Sequence, residues 1–351
     1  MKTGSDPCKT SNVLHTNSRK IKSRLIVQAG YQKGCALVPR INDYVKFGIS
    51  PSMLYPPSFE DDYAHLAAVC ACCELDGYES METFLPDNAA IRKFEIQRMQ
   101  QAGVTLHYNT GLMFQIDGPC NAGSDDPSER AGALAAMKNQ IDYAAEAQAP
   151  LIVVTGCPDK GPEKRPTILA RYTEYFLGVC AHAKQYGITV VLEPIERDIF
   201  KKLLLGPTPE CAAFIKHAQE QGYDNAMLML DAAHLPLMGE EFEPALEQSL
   251  AVGLCHIHMG NAVHDQNSVF YGHTHPPVCV HGGVFGFEEQ AEQFYLLLKH
   301  GFIPTEPGAK RPSISLEVRP YPGVSEKTSA QFMYETMNSA FLKALARFQN
   351  G

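Results

Sequence analysis

Residues 188–194 read ITVVLEP, an apolar run of β-branched and aliphatic residues closed by Glu193 and Pro194. A run that is apolar throughout, with no polar alternation, is buried on both faces, which marks a strand of a parallel sheet. A carboxylate at the end of such a strand costs stability unless something pairs with it. The pattern recurs three times downstream. Asp231 sits in AMLMLDAAH (226–234), His258 closes LCHIH in VGLCHIHMG (252–260), and Glu317 sits in SISLEVRP (313–320). Four such groups on four successive predicted strands can meet at one point only if the strands lie side by side in a closed sheet. A divalent cation is the simplest thing to place there.

Working outward, the chain alternates between β-rich runs and helical patterns eight times. The remaining predicted strands are YVKFGIS (44–50), SMETFLP (80–86), VTLHYNTG (104–111) and APLIVVTG (149–156). Predicted helices follow each, beginning with 59–77 and ending with KTSAQFMYETMNSAFLKALARF. Gly77, Gly103, Gly187, Gly222 and Gly301 each stand between a helix and the next strand, where a left-handed C-cap is expected. Eight β/α units predict an α/β fold, a (β/α)₈ TIM barrel over 44–351. A doubly wound open sheet would lack a reason for functional groups on so many strands, and no GxGxxG or GxxxxGK[ST] loop supports one. Residues 1–43 read as an N-terminal extension, polar to residue 23 and then carrying RLIVQAG, an arm suited to a partner subunit or to self-association.

With 351 residues, 45% hydrophobic, the chain can bury a large core. A net charge of −9 repels polyanions and argues against a nucleic-acid partner. No run approaches a membrane span and the first twenty residues hold no secretory core, so a cytoplasmic protein is expected. The 11 cysteines form no paired CxxC motifs and read as free thiols of a reducing compartment.

Glu193, Asp231, His258 and Glu317 form a hard, oxygen-rich donor set that favours one Mn²⁺, Mg²⁺ or Co²⁺ ion, Mn²⁺ first. His256 lies two residues before His258, on the same face but one layer down. His234, three after Asp231, is placed to orient substrate or hold a second metal. Arg197 and Arg319 are natural partners for carboxylates or substrate hydroxyls. His107 and Tyr108 end the third strand and could supply a general acid or form a packing pair. The long loop 261–286 holds His264, His273, His275 and His281 and reads as a lid whose histidines contact a polyhydroxyl substrate or a metal.

ITVVLEPIER, MLDAAH, HIHMGNA and SLEVRP resemble the xylose isomerase-like TIM-barrel superfamily of sugar isomerases and epimerases, over residues 45–345. In the ketose 3-epimerases of this group a Glu, an Asp, a His and a Glu bind the metal. The resemblance assigns those roles to Glu193, Asp231, His258 and Glu317. It also makes Glu193 and Glu317 the proton-transfer groups and His234 a substrate contact. Six residues after the metal histidine such epimerases carry an Arg; here the position is His264. YGHTHPP (271–277) and the long loop are similar to the large subunits of bacterial C-glycoside deglycosidases. That likeness implies a lyase that eliminates an aromatic aglycone from a 3-oxo-C-glycoside through a metal-stabilised enediolate, with a small β-rich partner subunit and an oligomeric assembly. A ketose 3-epimerase or sugar isomerase is the alternative. DNA-repair endonucleases with this barrel also carry LDxxH, but they hold three metal ions, and the acidic charge of this chain speaks against them.

Overall fold

Eight parallel strands, paired in chain order with β8 returning to β1, close a barrel. The computed structural model describes residues 39–110, 121–308 and 310–351. The strands are β1 (Lys46–Ile49), β2 (Ser80–Thr83), β3 (Thr105–Asn109), β4 (Leu151–Thr155), β5 (Thr189–Glu193), β6 (Ala226–Asp231), β7 (Leu254–Met259) and β8 (Ser313–Leu316). The major helices between and after them are α1 (Asp62–Cys72), α2 (Ala89–Ala102), α3 (Pro127–Glu146), α4 (Arg165–Lys184), α5 (Thr208–Glu220), α6 (Phe242–Ala251), α7 (Phe287–Lys299) and α8 (Glu326–Asn350). The expected TIM barrel is what the chain forms. All five expected cap glycines have positive φ, from 69° at Gly187 to 93° at Gly222, a conformation that costs any other residue a Cβ clash.

Some boundaries differ from the sequence expectation. The helix expected from residue 59 starts at Asp62, because Pro56 and Pro57 hold a 3₁₀ turn (Pro56–Phe59) ahead of it. Asp61 then caps α1, its carboxylate accepting from the Tyr63 and Ala64 amides at 2.8 Å each. β2 stops at Thr83, three residues short of Pro86. A short helix, Leu235–Met238, follows His234 and ends at the left-handed Gly239. The arm expected over residues 1–43 lies outside the described residues up to residue 38; Ile41–Asp43 form a 3₁₀ turn with Ile41 fully buried. Among the described residues no helix is long and apolar enough to cross a membrane, and the described cysteines are free thiols. Burial pushes the Cys157 and Cys255 thiols up to about 12, so they act as small apolar groups.

The main core lies between the barrel wall and the helices, where Phe47, Tyr172, Phe176, Phe294 and Phe341 are fully buried. Each such side chain contributes roughly 1.5–3 kcal/mol by leaving water. The barrel interior is divided. Leu151, Val153, Val191 and Met229 form a separate apolar cluster below Glu193 and Asp231. Across the barrel the filling is polar: Ser80, Glu82, His107, His256, Ser313 and Ser315 are all buried.

Candidate active site at the barrel mouth

Strand register brings the four strand-end residues together. Asp231 pairs with His258 across β6 and β7, and His258 pairs with Ser315 across β7 and β8. Glu317 lies two residues beyond Ser315 and so faces the same way. Glu193 is the last residue of β5, beside Thr155. One ligand atom from each of Glu193, Asp231, His258 and Glu317 falls within 4.8 Å of all the others. His258 Nδ1 stands 2.7 Å from Glu317 Oε2, 3.4 Å from Asp231 Oδ2 and 3.7 Å from Glu193 Oε1.

These four side chains could hold a metal ion between them. Asp231 Oδ2, His258 Nδ1 and Glu317 Oε2 are closed off from solvent and make no hydrogen bond. Buried polar atoms are ordinarily paired. Three that face one another at one point without a hydrogen bond, with oxygen predominating, fit a divalent cation of the Mn²⁺, Mg²⁺ or Co²⁺ kind.

The electrostatics show the strain of gathering these charges. Burial and the neighbouring Glu317 charge hold the Glu193 carboxyl well above the usual carboxylate range. Burial alone would lower His258, but Glu82 and Glu317 outweigh it and raise the imidazole well above its usual range. Asp231 goes the other way: burial would raise it, yet His234 and His258 keep it below the ordinary aspartate value.

Above the cluster lies a cavity of about 330 Å³. Glu82, Glu193 and Glu317 line it on the barrel side, and His273, Thr274, His275 and Arg319 close it from the long loop and the end of β8. Met53, Phe59, Phe84 and Ile195 supply an apolar wall. Phe59 stacks on Phe84 with centroids 6.1 Å apart, and Phe84 packs on the His65 ring at 4.3 Å.

The sequence-derived candidates divide on this geometry. His234 joins the cluster, with Nε2 3.4 Å from Asp231 Oδ2 and Nδ1–H donating to the Pro194 carbonyl. His275 lines the cavity and donates from Nδ1 to the Glu317 carbonyl oxygen at 3.0 Å. Arg319 also lines it, with its Nε bound to the Thr274 carbonyl. His256 packs one layer down, as expected, against Glu82 and Ser313.

Four others do not border the cavity. His107 lies deep in the barrel against Ser313, 3.1 Å from its hydroxyl, and burial, with the adjacent His256, lowers its pKa to about 3. Tyr108 faces the helix layer, its hydroxyl donating to Gln140 of α3, because adjacent strand residues point to opposite faces. Arg197 turns away to pair with Glu210 and to donate to the Leu204 carbonyl. His264 is exposed on the long loop.

Three contributors were missed in the sequence: Glu82, Lys201 and the Phe59–Phe84 wall. Glu82 carries the same signal as Glu193, Asp231 and Glu317, an acid near the end of an apolar run. It was hidden because its strand reads as continuing to Pro86.

A model of the xylose isomerase-like TIM barrel family matches residues 71–303. Among solved structures the chain is similar to an L-ribulose 3-epimerase, at 16% identity over 87% of this chain and 97% of the other, with a TM-score of 0.68. It is similar to the D-psicose 3-epimerase of Clostridium cellulolyticum H10, at 17% identity over 87% and 99%, TM-score 0.58. It is also similar to the 3-keto-D-glucoside 4-epimerase of E. coli, at 14% identity over 88% and 100%, TM-score 0.58. At these identities the likeness is one of fold. No curated protein matches by sequence.

Proposed function

Because the chain belongs to the family of xylose isomerase-like TIM barrels, we propose that it is a divalent-metal-dependent carbohydrate enzyme that removes the proton beside a sugar carbonyl. Within that class we propose the catalytic subunit of a C-glycoside deglycosidase acting on 3-oxo-C-glycosides. The carrying observation is the convergence of Glu193, Asp231, His258 and Glu317 under a cavity that two of those carboxylates line, opposite an aromatic wall.

Glu193, Asp231, His258 and Glu317 would hold the ion, which when bound supplies Lewis-acid polarisation of a carbonyl. Glu193 or Glu317 takes the proton from the carbon between the carbonyl and the anomeric carbon. The electron pair left behind forms an enolate. As the carbonyl re-forms, a double bond develops to the anomeric carbon and the bond to the aryl carbon breaks. The aryl carbon leaves with that pair and takes up a proton. His107 and Tyr108 do not border the cavity, so the proton comes from a group that does; the Lys201 ammonium lines it. Phe59 and Phe84 offer the departing ring a flat apolar surface.

A ketose 3-epimerase is the second reading. It is favoured by the two carboxylates that share the cavity, since one can take a proton and the other return it. The exposure of His264, where those epimerases place an Arg, weakens it. The test is incubation with 3-oxo C- and O-glycosides and with free ketoses in Mn²⁺, with and without any co-purifying small subunit. Release of a phenolic aglycone supports elimination. Epimerised ketose without aglycone release transfers the assignment to the second reading. Inertness toward every substrate in the presence of bound metal would overturn both.

A further inference from the structure

The polar half of the barrel interior is a single hydrogen-bonded column beneath His258. Glu82 Oε2 accepts from His258 Nε2 at 2.7 Å and from His256 Nε2 at 2.6 Å. Its other oxygen accepts from Asn109 Nδ2 at 2.5 Å. Below, His256 Nδ1 meets the Ser313 hydroxyl at 2.8 Å, and that oxygen meets His107 Nδ1 at 3.1 Å. The members come from β2, β3, β7 and β8 and meet through the barrel's interior.

The hydrogen positions on the two histidine nitrogens that touch Glu82 follow from its carboxylate. A carboxylate only accepts, so both Nε2 atoms carry hydrogen. His256, with Nε2 held by Glu82, turns Nδ1 to the Ser313 hydroxyl. His258, with Nε2 turned to Glu82, has Nδ1 left for ligation, and Nδ1 is the atom facing Asp231 and Glu317. We propose that Glu82 is the positioning residue of the metal site: as the column's anion it fixes His258 in the tautomer that ligates through Nδ1, and His256, Ser313, His107 and Asn109 hold Glu82 in place. A carboxylate behind a ligating histidine orients the ring and raises its basicity. The proposal rests on the metal reading above and not on which sugar reaction follows.

Two measurements test it, and neither depends on turnover. In the zinc-loaded protein, long-range ¹H–¹⁵N spectra should show His258 with hydrogen on Nε2 and the metal on Nδ1. The opposite tautomer would overturn the proposal without any substitution. In Glu82→Gln, which loses the negative charge and turns an NH₂ group toward the Asn109 amide that Glu82 now accepts from, Mn²⁺ affinity by calorimetry should fall about 10–100-fold. Unchanged affinity in a folded Glu82→Gln protein would also overturn it. Ser313→Ala, at the far end of the column, should weaken Mn²⁺ less than Glu82→Gln; an equal or larger effect counts against Glu82 as the organising anion. A parent protein that binds Mn²⁺ but transforms no sugar would sink the proposed function and leave this inference standing.

Discussion

Asp231 and His258 are register partners on adjacent strands, so their side chains leave the barrel wall at one height and reach the same point. Asp231 Oδ1 accepts from the Ala233 amide at 2.6 Å, while Oδ2 has no hydrogen-bond partner. The two oxygens therefore have separate tasks, one holding the turn after β6 and the other facing the cluster. Asp231→Asn can keep the first through its amide oxygen and loses the second. The expected outcome is a folded protein with an unchanged circular dichroism spectrum that no longer retains Mn²⁺ through gel filtration. Metal content by elemental analysis checks this, and full retention would exclude Asp231 as a ligand.

Metal binding should compete with protons. The Glu193 carboxyl is raised by burial and by Glu317, and the His258 imidazole is raised by Glu82 and Glu317 against the effect of its burial. Both groups hold protons to a higher pH than they would in water. A cation needs the carboxylate and the free imidazole lone pair, so those protons must leave. Affinity should then rise with pH, by about tenfold per unit for each proton displaced, and level off above the raised values. Calorimetric titrations between about pH 6 and about pH 8, around the imidazole reference value, give the slope. Buffers of different ionisation enthalpy give the proton count. An affinity independent of pH would show that the donors are already deprotonated.

Glu317→Gln and Glu193→Gln should each reduce turnover by roughly 10²–10⁴ when assayed at saturating Mn²⁺, the usual contribution of a placed proton-transfer group. Exchange of the substrate's carbon-bound proton with deuterated solvent separates their roles. The variant lacking the abstracting carboxylate should lose exchange together with product. Near-normal turnover in either variant would remove that carboxylate from the mechanism.

The convergence of Glu193, Asp231, His258 and Glu317 was legible in the sequence because each lies within one residue of the end of its own strand, and strand ends are local features. The cap glycines were legible for the same reason. What lay outside local pattern was side-chain direction across long separations. Glu82 meets His258 across 176 positions, and no spacing rule reports that contact. Tyr108 was open to correction from the sequence alone, since a neighbour of an inward-facing His107 must face the helices. Arg197 was not, because its pairing with Glu210 depends on the path of the loop between β5 and α5.

Gly48 sits in β1 where the polar half of the interior is tightest. A Cβ at this position would press on the Ser80 hydroxyl, and would lie 2.6 Å from Ser315 Oγ and 3.1 Å from the Ser80 carbonyl oxygen. The neighbouring strands are fixed by their ladders and have little room to yield. Gly48→Ala should cost about 1–3 kcal/mol of stability, the usual penalty for overpacking. Urea unfolding monitored by circular dichroism measures it, and a loss below about 0.5 kcal/mol, the range of neutral surface changes, would show that the barrel relaxes around the methyl group.

The aromatic wall offers a way to tell an aryl glycoside from a plain ketose by one substitution. Phe59 is 45% exposed and stacks on Phe84, which is itself backed by the buried His65. His65 is anchored on both nitrogens, to Glu95 at 2.8 Å and to the Thr83 hydroxyl at 2.9 Å. Phe84 is therefore held from behind, whereas Phe59 has an open side toward the mouth. Phe59→Ala should leave the barrel and the metal cluster intact. An aromatic pair contributes about 0.5–1.5 kcal/mol beyond area burial. KM for a 3-oxo aryl C-glycoside should accordingly rise by roughly two- to tenfold, with kcat little changed if the ring is bound alike before and during bond cleavage. KM for a free ketose, which has no ring to stack, should stay where it was. A rise for both substrates would assign Phe59 to general shaping of the mouth. No rise for either would place the aglycone elsewhere.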